Sequence, residues 1–342
     1  MIVGLGSMGR RRIRNLQALG YNQIFGVDSR EDRRKEAEEK YGISTRPDFA
    51  SALSQLKPSA VIISTPPNLH TPFMLQCAKA GVPFFVEASV VNDGLDEVNA
   101  IAKRKKILAA PSCTFRFKQS IRTLKRLLEE GRIGRVLGFT YHMGQYLPDW
   151  HPWEDYRKFY GSKKSIGAIR EMVCFETQWL NWLFGPLEAI SCMRSRQSDL
   201  EIETDDLFAM VYKYKKVAGG AGPIGTVLID ILSRVPTRRM YIMGEKGNLL
   251  WDLDWGAVRL YDAGARKWEE FKESEHAAQK EYWIKDDMYI EEMRHFIGAL
   301  EGRHPYMYSL DEDISNIAFL LAAEKSSDTG RHVEVGKRKK KA

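Results

Sequence analysis

A glycine-rich turn at the start of the chain limits what the first part of the sequence can fold into. Gly4, Gly6 and Gly9 follow the spacing GxGxxG, after the short apolar segment 1–3 and before an amphipathic segment. The first glycine permits a tight turn after a strand, the second lets a pyrophosphate approach the backbone, and the third lets the next helix pack on that strand. The residues predicted to bind a dinucleotide at the helix N-terminus are Gly4, Gly6, Ser7, Met8 and Gly9. Since only residues 1–3 precede the turn, either the first strand is short or further residues precede Met1.

The residues after the second predicted strand determine which dinucleotide is expected. Asp28 closes the apolar run 24–27, nineteen residues after the last glycine of the turn. A carboxylate at this place accepts the ribose hydroxyls of the adenosine and repels a 2′-phosphate, which favours NAD over NADP. Ser29 and Arg30 follow, and an arginine here is suited to a 2′-phosphate, so NADP stays an alternative. The other interpretation of Arg30 is a solvated charge in the highly charged stretch 29–40.

Composition and charge exclude several other classes of protein. The chain has 342 residues, 44% of them apolar, which suits two domains with full cores. No apolar run is long enough to span a membrane, and the four cysteines show neither metal-ligand nor disulfide spacing. We therefore expect no membrane association, no metal site and a location in the reducing cytoplasm. The basic run 337–341 supplies five of the seven net positive charges, so nucleic-acid binding would depend on the tail 336–342 and is not expected.

Strands and helices alternate over the first third of the chain. Strands are predicted at 61–64, 82–86 and 107–111, and helices at 71–80 and 94–105. This alternation predicts an α/β domain with a doubly wound parallel sheet, a Rossmann domain over residues 1–115. Its ligand crevice is expected at the carboxyl ends of the strands.

From residue 116 the pattern changes to consecutive strands with short connections. Strands are predicted at 136–143, 189–196, 207–214, 225–232, 239–243, 248–252 and 258–261, and helices at 118–130, 169–184, 284–301 and 310–327. Such a series predicts an antiparallel or mixed sheet. We therefore predict a second α/β domain over residues 116–335, followed by the disordered basic tail 336–342.

Several short motifs, taken together and in order, resemble those of one protein family. They are GLGSMG (4–9), STPPNLH (64–70), AGVPFFVE (80–87), FRF (115–117), EGRIG (130–134) and WLFG (182–185). Over almost its whole length the chain resembles the Gfo/Idh/MocA oxidoreductases, relatives of glucose–fructose oxidoreductase and inositol dehydrogenase. The resemblance implies a Rossmann domain, then an α/β domain with a large open-faced sheet through which members pair as dimers or tetramers. It also implies NAD(P)-dependent hydride transfer to or from a sugar or nucleotide-sugar, which we connect with polysaccharide or rare-sugar biosynthesis.

The resemblance also implies which residues lie along the cofactor. Those that match the family's cofactor loop are Thr65, Pro66, Asn68 and His70. Two adjacent prolines stiffen this loop at the end of a strand, and a helix cap is the alternative interpretation of His70. Glu87 matches the first residue of the family's Glu-Lys-Pro motif. Arg116 follows the last strand of the Rossmann sheet and is expected to contact the cofactor or the substrate, with an interdomain salt bridge as the alternative.

Two residues on which the family's chemistry depends are replaced in this chain. The Glu-Lys-Pro motif reads Glu87-Ala88-Ser89, and alanine cannot replace the lysine that helps to bind the substrate and polarise its reacting oxygen. The family's acidic residue and the histidine four positions later align with Glu171 and Phe175. Hydride transfer from an alcohol still needs an acceptor for the hydroxyl proton. The chain is therefore either a dehydrogenase with an atypical acceptor or a cofactor-binding sensor or partner subunit without turnover.

Two segments offer replacements for the missing residues. The predicted catalytic residues are Glu171, Tyr156 and His151, and the predicted substrate-binding residues are Asp149, Trp150, Arg157 and Cys174. The loop 145–157 concentrates aromatic and titratable side chains, as binding loops do, and its arginine suits a carboxylate or phosphate. A surface loop held by tryptophans is the alternative. Cys174 shares a helix face with Glu171, although a small core residue is the other interpretation. Glu176 neighbours this face, and a capped or solvated helix residue is its alternative interpretation.

Overall fold

A computed structural model describes residues 1–152, 154–216, 220–273 and 286–335, and these residues form two units. Among them, 1–117 and 286–314 make up the first unit, and 118–273 and 315–335 make up the second. The predicted basic tail 336–342, and Trp153 of the predicted binding loop, lie outside the described residues.

A six-stranded parallel sheet forms the centre of the first unit. Its strands are β1 (Ile2–Val3), β2 (Phe25–Val27), β3 (Ser44–Arg46), β4 (Val61–Ile63), β5 (Phe84–Val86) and β6 (Ala109–Pro111). The helices that alternate with them are α1 (Ser7–Ala18), α2 (Glu31–Tyr41), α3 (Phe49–Leu56), α4 (His70–Ala80) and α5 (Leu95–Lys105). The strand order β3-β2-β1-β4-β5-β6 reverses direction at β1 and β4, which confirms the doubly wound Rossmann sheet.

A nine-stranded mixed sheet forms the second unit. Its helices are α6 (Gln119–Glu129) and α7 (Ala168–Phe184), and its first eight strands are β7 (Val136–Gly144), β8 (Leu187–Ser195), β9 (Leu207–Tyr214), β10 (Ile224–Asp230), β11 (Thr237–Gly244), β12 (Gly247–Asp252), β13 (Ala257–Asp262) and β14 (Lys267–Lys272). The short edge strand β15 (Val333–Glu334) follows near the end of the described chain. The order is β14-β13-β12-β11-β7-β10-β9-β8-β15, in which β7 and β10 are parallel and the other neighbours antiparallel. This confirms the predicted mixed sheet.

One face of the second sheet is buried and the other is exposed. In β9 the alternation is complete, because Phe208, Met210 and Tyr212 are buried while Ala209 and Val211 are exposed. Helices α6 and α7 pack on strands of this sheet. Such alternation is typical of a sheet with one covered face.

Two later helices complete the fold. α8 (Asp287–Leu300) belongs to the first unit, where its Met293, Phe296 and Ile297 share a core with Ile2 and Phe85. From the sequence we placed this helix in the second domain, whereas the structure places it in the first unit. The prediction was wrong because an amphipathic pattern does not show on which sheet a helix packs. The boundary between the two units falls within α9 (Leu310–Thr329). In the described part of the chain, no helix has the length and hydropathy needed to cross a membrane.

Candidate functional site

The three glycines of the turn between β1 and α1 have different roles. Gly4 has a φ of +86°, and a Cβ on it would lie 2.6 Å from the carbonyl oxygen of Ser64. A Cβ on Gly9 would overlap the carbonyl oxygen of Gly4. These two glycines are therefore required for α1 to pack on the sheet. The three atoms nearest to a Cβ on Gly6 all belong to the guanidinium of Arg33, at 3.4 to 3.9 Å, so a flexible side chain and not the backbone lies above this glycine.

The N-terminus of α1 can receive an anion. No side chain caps this helix at Gly6, and its first turn, which begins with Ser7 and Met8, contains no acidic residue. The first N–H groups of a helix lack partners within the helix and carry the positive end of its dipole. This arrangement fits the pyrophosphate predicted at the turn.

Asp28 is held at the tip of β2. Its Oδ2 accepts a hydrogen bond of 2.8 Å from the backbone N–H of Leu5, and its Oδ1 accepts one of 2.9 Å from that of Arg30. The carboxylate is thereby fixed against the glycine turn, where a ribose is expected. The exposed side chain of Arg30 instead pairs with Asp32, and its hydrogen bonds lower the pKa of Asp32 to about 2. Ser29 is exposed.

His70 positions the loops that follow β4 and β5. Its Nε2 lies 2.8 Å from the carbonyl oxygen of Thr65, and its Nδ1 lies 3.1 Å from Oγ of Ser89. A carbonyl oxygen only accepts, so Nε2 carries the proton and the serine hydroxyl donates to Nδ1. Burial lowers the pKa of His70 to about 4, which keeps the ring neutral at pH 7. The buried His70 thus holds the predicted cofactor loop in place through hydrogen bonds.

The same loop contains a group that fits a bound cofactor. The hydroxyl of Thr65 is buried and has no hydrogen-bond partner among the described residues. Pro66 is half-buried and Asn68 exposed beside it. Buried polar atoms without partners are rare in proteins. Together with the uncapped helix N-terminus after Gly6, this hydroxyl fits the dinucleotide that the sequence predicts.

Glu87 is engaged by a buried arginine that the sequence did not single out. Arg12 of α1 donates to both oxygens of Glu87, at 2.7 and 2.9 Å, and contacts Glu292 of α8 at 2.8 Å. Arg12 and Glu292 are fully buried, and burial raises the pKa of Glu292. Glu87 therefore closes an ion triad that joins β5 to two helices, and its predicted contact with the cofactor stays a proposal.

Arg116 also lies within the first unit. Its guanidinium donates to the carbonyl oxygen of Met307 at 2.8 Å, stacks 4.6 Å from the ring centroid of Tyr308 and lies 3.7 Å from Glu312. The side chain is buried among these partners. Its predicted contact with cofactor or substrate stays a proposal.

In the second unit the structure pairs Glu171 with a tyrosine. Glu171 lies in the first turn of α7, and its Oε2 accepts a hydrogen bond of 2.8 Å from the hydroxyl of Tyr160. Both side chains are half-buried, as is Phe175 one turn further along. Cys174 is instead a buried core residue, and its carbonyl oxygen accepts a hydrogen bond from Asn316. The side chain of Cys174 is buried, as its alternative interpretation expects, and its predicted contact with the substrate stays a proposal.

The loop before α7 brings one predicted residue close to this pair. The ring of His151 meets the ring of Phe159 edge-on at 4.7 Å, and Phe159 lies 4.3 Å from the ring of Tyr160. The Nδ1 of His151 lies 2.8 Å from Glu154. His151 is therefore linked to Glu171 through two aromatic rings, with Trp150 half-buried beside it and Asp149 exposed.

Arg157, which the sequence predicts to bind the substrate, pairs with two carboxylates in the structure, and its predicted role stays a proposal. Its guanidinium forms a two-pronged pair with Asp155, at 2.8 and 3.1 Å, and donates to Glu201 at 3.0 Å. These partners occupy the planar fork that the sequence offered to a carboxylate or phosphate. Tyr156 accepts a 3.5 Å hydrogen bond from the backbone of Glu201, so the structure does not bring it to Glu171.

Glu176 is not the solvated helix residue of its alternative interpretation. It is fully buried and accepts hydrogen bonds from Tyr141, Trp179 and Arg238, at 2.6, 2.7 and 3.0 Å. The carboxylate thereby ties α7 to β7 and β11. Tyr141 and Arg238 come from distant parts of the chain, so no local pattern could have identified these two partners.

Family models match both parts of this chain. A model described as an oxidoreductase family with an NAD-binding Rossmann fold matches residues 1–110, and a model of the GFO/IDH/MocA C-terminal domain matches residues 121–250. The chain belongs to the Gfo/Idh/MocA family. The family predicted from the motifs is therefore confirmed, and with it an NAD-binding oxidoreductase fold.

Three members of the Gfo/Idh/MocA family illustrate the similarity. The myo-inositol 2-dehydrogenase of Thermotoga maritima is 23% identical over 98% of this chain and 97% of its own length. The levoglucosan dehydrogenase of Pseudarthrobacter phenanthrenivorans is 27% identical over 63% of this chain and 54% of its own. A solved structure of a levoglucosan dehydrogenase with NADH and levoglucosan superposes with a TM-score of 0.85 at 18% identity, covering 98% of both chains. These similarities support the fold over nearly the whole chain.

Proposed function

We propose that the protein is an NAD-dependent dehydrogenase that transfers hydride to or from a hydroxyl-bearing carbon of a sugar, nucleotide-sugar or cyclic polyol. The hydrogen bond from Tyr160 to Glu171 carries the proposal, because it gives the acidic position a partner that can relay a proton in a family member that lacks the lysine and the histidine. Relatives named as an inositol dehydrogenase and a levoglucosan dehydrogenase support this substrate class.

In this proposal the first unit binds the cofactor through the glycine turn. Gly6 admits the pyrophosphate, Asp28 accepts the ribose hydroxyls and the Thr65 hydroxyl gains a partner that it lacks among the described residues. The bound nicotinamide supplies a hydride acceptor or donor. His70 and Ser89 hold the loop of Thr65 in place.

In the same proposal Glu171 is the proton acceptor. When an alcohol is oxidised, its C–H bond yields a hydride and its O–H bond a proton, and a carbonyl group forms. The carboxylate of Glu171 accepts the proton directly or through Tyr160, whose own proton then passes to Glu171. In the direction of reduction, Glu171 returns the proton to the carbonyl oxygen.

The test begins with mass spectrometry of sugars, nucleotide-sugars and inositols incubated with the purified protein and NAD. We expect one compound to lose two hydrogens as an equal amount of NADH forms. Glu171→Gln should then lower kcat at least about 100-fold while the Kd for NADH stays unchanged, and Tyr160→Phe should lower kcat less. Tyr156→Phe serves as the matched control and should keep wild-type turnover. Unchanged turnover in Glu171→Gln would exclude this residue as the acceptor.

A second candidate function is a cofactor-binding sensor or partner subunit without turnover. Ala88 and Phe175, at the positions of the family's lysine and histidine, favour it. Binding of NADH without conversion of any compound in the panel would support it over the dehydrogenase. Gly6→Val provides the binding control, because its side chain would fill the cofactor space, and its NADH affinity should be lost. Unchanged affinity in that variant would place the cofactor elsewhere.

A further inference from the structure

We propose that Phe159 is a positioning residue, whose ring holds Tyr160 so that the tyrosine hydroxyl donates to Glu171. This inference rests on the proposed function, in which Tyr160 and Glu171 carry the proton. The ring centroids of Phe159 and Tyr160 lie 4.3 Å apart, with the planes inclined by 51°. The hydroxyl of the same tyrosine lies 2.8 Å from Oε2 of Glu171. The ring that Phe159 contacts is therefore the one that carries the proton donor.

The ring of His151 supports Phe159. Their centroids are 4.7 Å apart and the planes cross at 78°, which is the edge-to-face arrangement that aromatic rings favour. His151 is itself oriented, because its Nδ1 lies 2.8 Å from Oε1 of Glu154. The loop before α7 thus supplies a row of three contacting rings that ends at the tyrosine hydroxyl.

Gly161 leaves the space that the ring of Phe159 occupies. A Cβ on this glycine would lie 2.6 and 2.7 Å from two ring carbons of Phe159, closer than carbon atoms approach one another. It would also lie 3.1 Å from the Cβ of Ala168, at the start of α7. The backbone of Gly161 is not in the left-handed region, so it accepts an alanine. An alanine at this position would therefore displace the ring and leave the backbone in place.

The backbone that carries these rings is fixed at the next residue. Ser162 is buried, and its Oγ lies 2.9 Å from the carbonyl oxygens of Arg157 and Phe159. Its own carbonyl oxygen accepts a hydrogen bond of 2.7 Å from the backbone N–H of Glu203. The side-chain torsions of Tyr160 are not fixed by these bonds and depend on what its ring packs against. Phe159 supplies such a contact, so it helps to determine where the hydroxyl lies.

The experiment is a double-mutant cycle of Gly161→Ala and Tyr160→Phe. It measures kcat of the full chain with NAD and the compound of the panel above that the wild type oxidises. Gly161→Ala should lower kcat about tenfold, since a displacement of about 1 Å can cost up to roughly 100-fold. The double variant should be no slower than Tyr160→Phe alone, because Phe159 acts through the hydroxyl that this variant lacks. The Kd for NADH should stay unchanged in each variant.

Two further variants test the same contact without inserting a methyl group. Phe159→Leu removes the ring and should also lower kcat about tenfold, but only when the hydroxyl of Tyr160 is present. His151→Phe keeps an aromatic ring against Phe159, so it should lower kcat less than His151→Ala does. Equal losses in the two His151 variants would show that the imidazole acts by its own chemistry and not as a support.

The matched control for the added methyl group is Gly264→Ala, in the turn between β13 and β14. The nearest atom to a Cβ on Gly264 would be Oδ1 of Asp262, at 3.3 Å, and this backbone is not left-handed either. The control should keep the kcat of the wild type. A loss in Gly264→Ala equal to that in Gly161→Ala would assign the effect to general destabilisation of the unit and overturn the inference.

Additive losses in the double-mutant cycle would also overturn the inference. A crystal structure of Gly161→Ala gives a test that needs no turnover, and it should show the hydrogen bond from Tyr160 to Glu171 broken. A displaced Phe159 with that hydrogen bond intact would overturn the inference and leave the proposed function standing. Turnover that does not depend on Glu171, or no turnover at all, would overturn both.

Discussion

At the scale of single residues, the buried histidine of the cofactor loop makes the first unit sensitive to acid. His70 has a pKa of about 4 in the folded protein, against 6.5 for an ordinary histidine. Between these values the unfolded chain binds more protons, so folding stability falls as the pH drops from 6.5 towards 4 and is unaffected by this group above 6.5. At pH 5 the loss from this group is about 2 kcal/mol.

Urea unfolding of wild type and His70→Gln at pH 7.5 and pH 5.0 tests this expectation. Glutamine does not titrate, so the variant should be less stable at pH 7.5 and the difference should shrink by about 2 kcal/mol at pH 5.0. The comparison of two proteins cancels the other titrating groups. A difference that stays constant between the two pH values would show that His70 keeps an ordinary pKa.

The residues of the cofactor turn were predictable from the sequence, whereas the buried ion triad of Arg12, Glu87 and Glu292 was not. Gly4, Gly9 and Asp28 act within one βαβ unit, so their spacing in sequence reports their geometry directly. Arg12 looks like a surface charge on α1, yet it is fully buried. Its partner Glu292 is 280 residues further along the chain, and no local pattern contains that information.

At the scale of elements, the triad around Arg12 joins α1, β5 and α8. Replacing Arg12 by methionine keeps most of the volume but leaves Glu87 and Glu292 facing each other without a cation. Breaking a buried ion pair on one side costs about 3 to 5 kcal/mol. Urea unfolding of Arg12→Met should show a loss of this size, together with weaker NADH binding because the end of β5 shifts.

A second variant separates the charge effect from the loss of packing. Arg12→Met combined with Glu292→Gln removes one of the two unpaired carboxylates and should recover part of the stability, so the two changes are not additive. If the double variant is less stable than Arg12→Met alone, the triad does not act through its charges.

Helices and strands were predicted best where buried and exposed side chains alternate regularly along the element. The predicted strand at 207–214 coincides with β9, because every second side chain enters the core. Helix α2 was seen only as a charged stretch, since Ala37 is its one buried residue. Strand β14 was missed because none of its side chains is buried, so its sequence carries no alternation.

At the scale of the whole molecule, the exposed face of the second sheet carries apolar side chains. Val211 on β9 and Thr226 on β10 are paired on this face, Tyr241 on β11 lies across β7 from Thr226, and all three are exposed. Met193 at its margin is 79% exposed. The face carries a groove of about 1030 Å³, whose lining includes the charged residues Arg239, Asp252 and Arg331 together with His142, which lies 2.7 Å from Asp230. Exposed apolar patches of this extent mark interaction surfaces.

We therefore predict that two copies of the chain associate through this face, as the family resemblance implies. Val211→Asp places a charge in its centre and should convert the dimer or tetramer to a monomer, measured by light scattering after size exclusion. The matched control is Tyr21→Asp, because Tyr21 of the first unit is 43% exposed and Val211 is 44% exposed. The monomer should keep its NADH affinity, since the proposed cofactor residues all belong to the first unit. A wild type that is already monomeric, or a Val211→Asp protein of unchanged mass, would show that this face does not join copies of the chain.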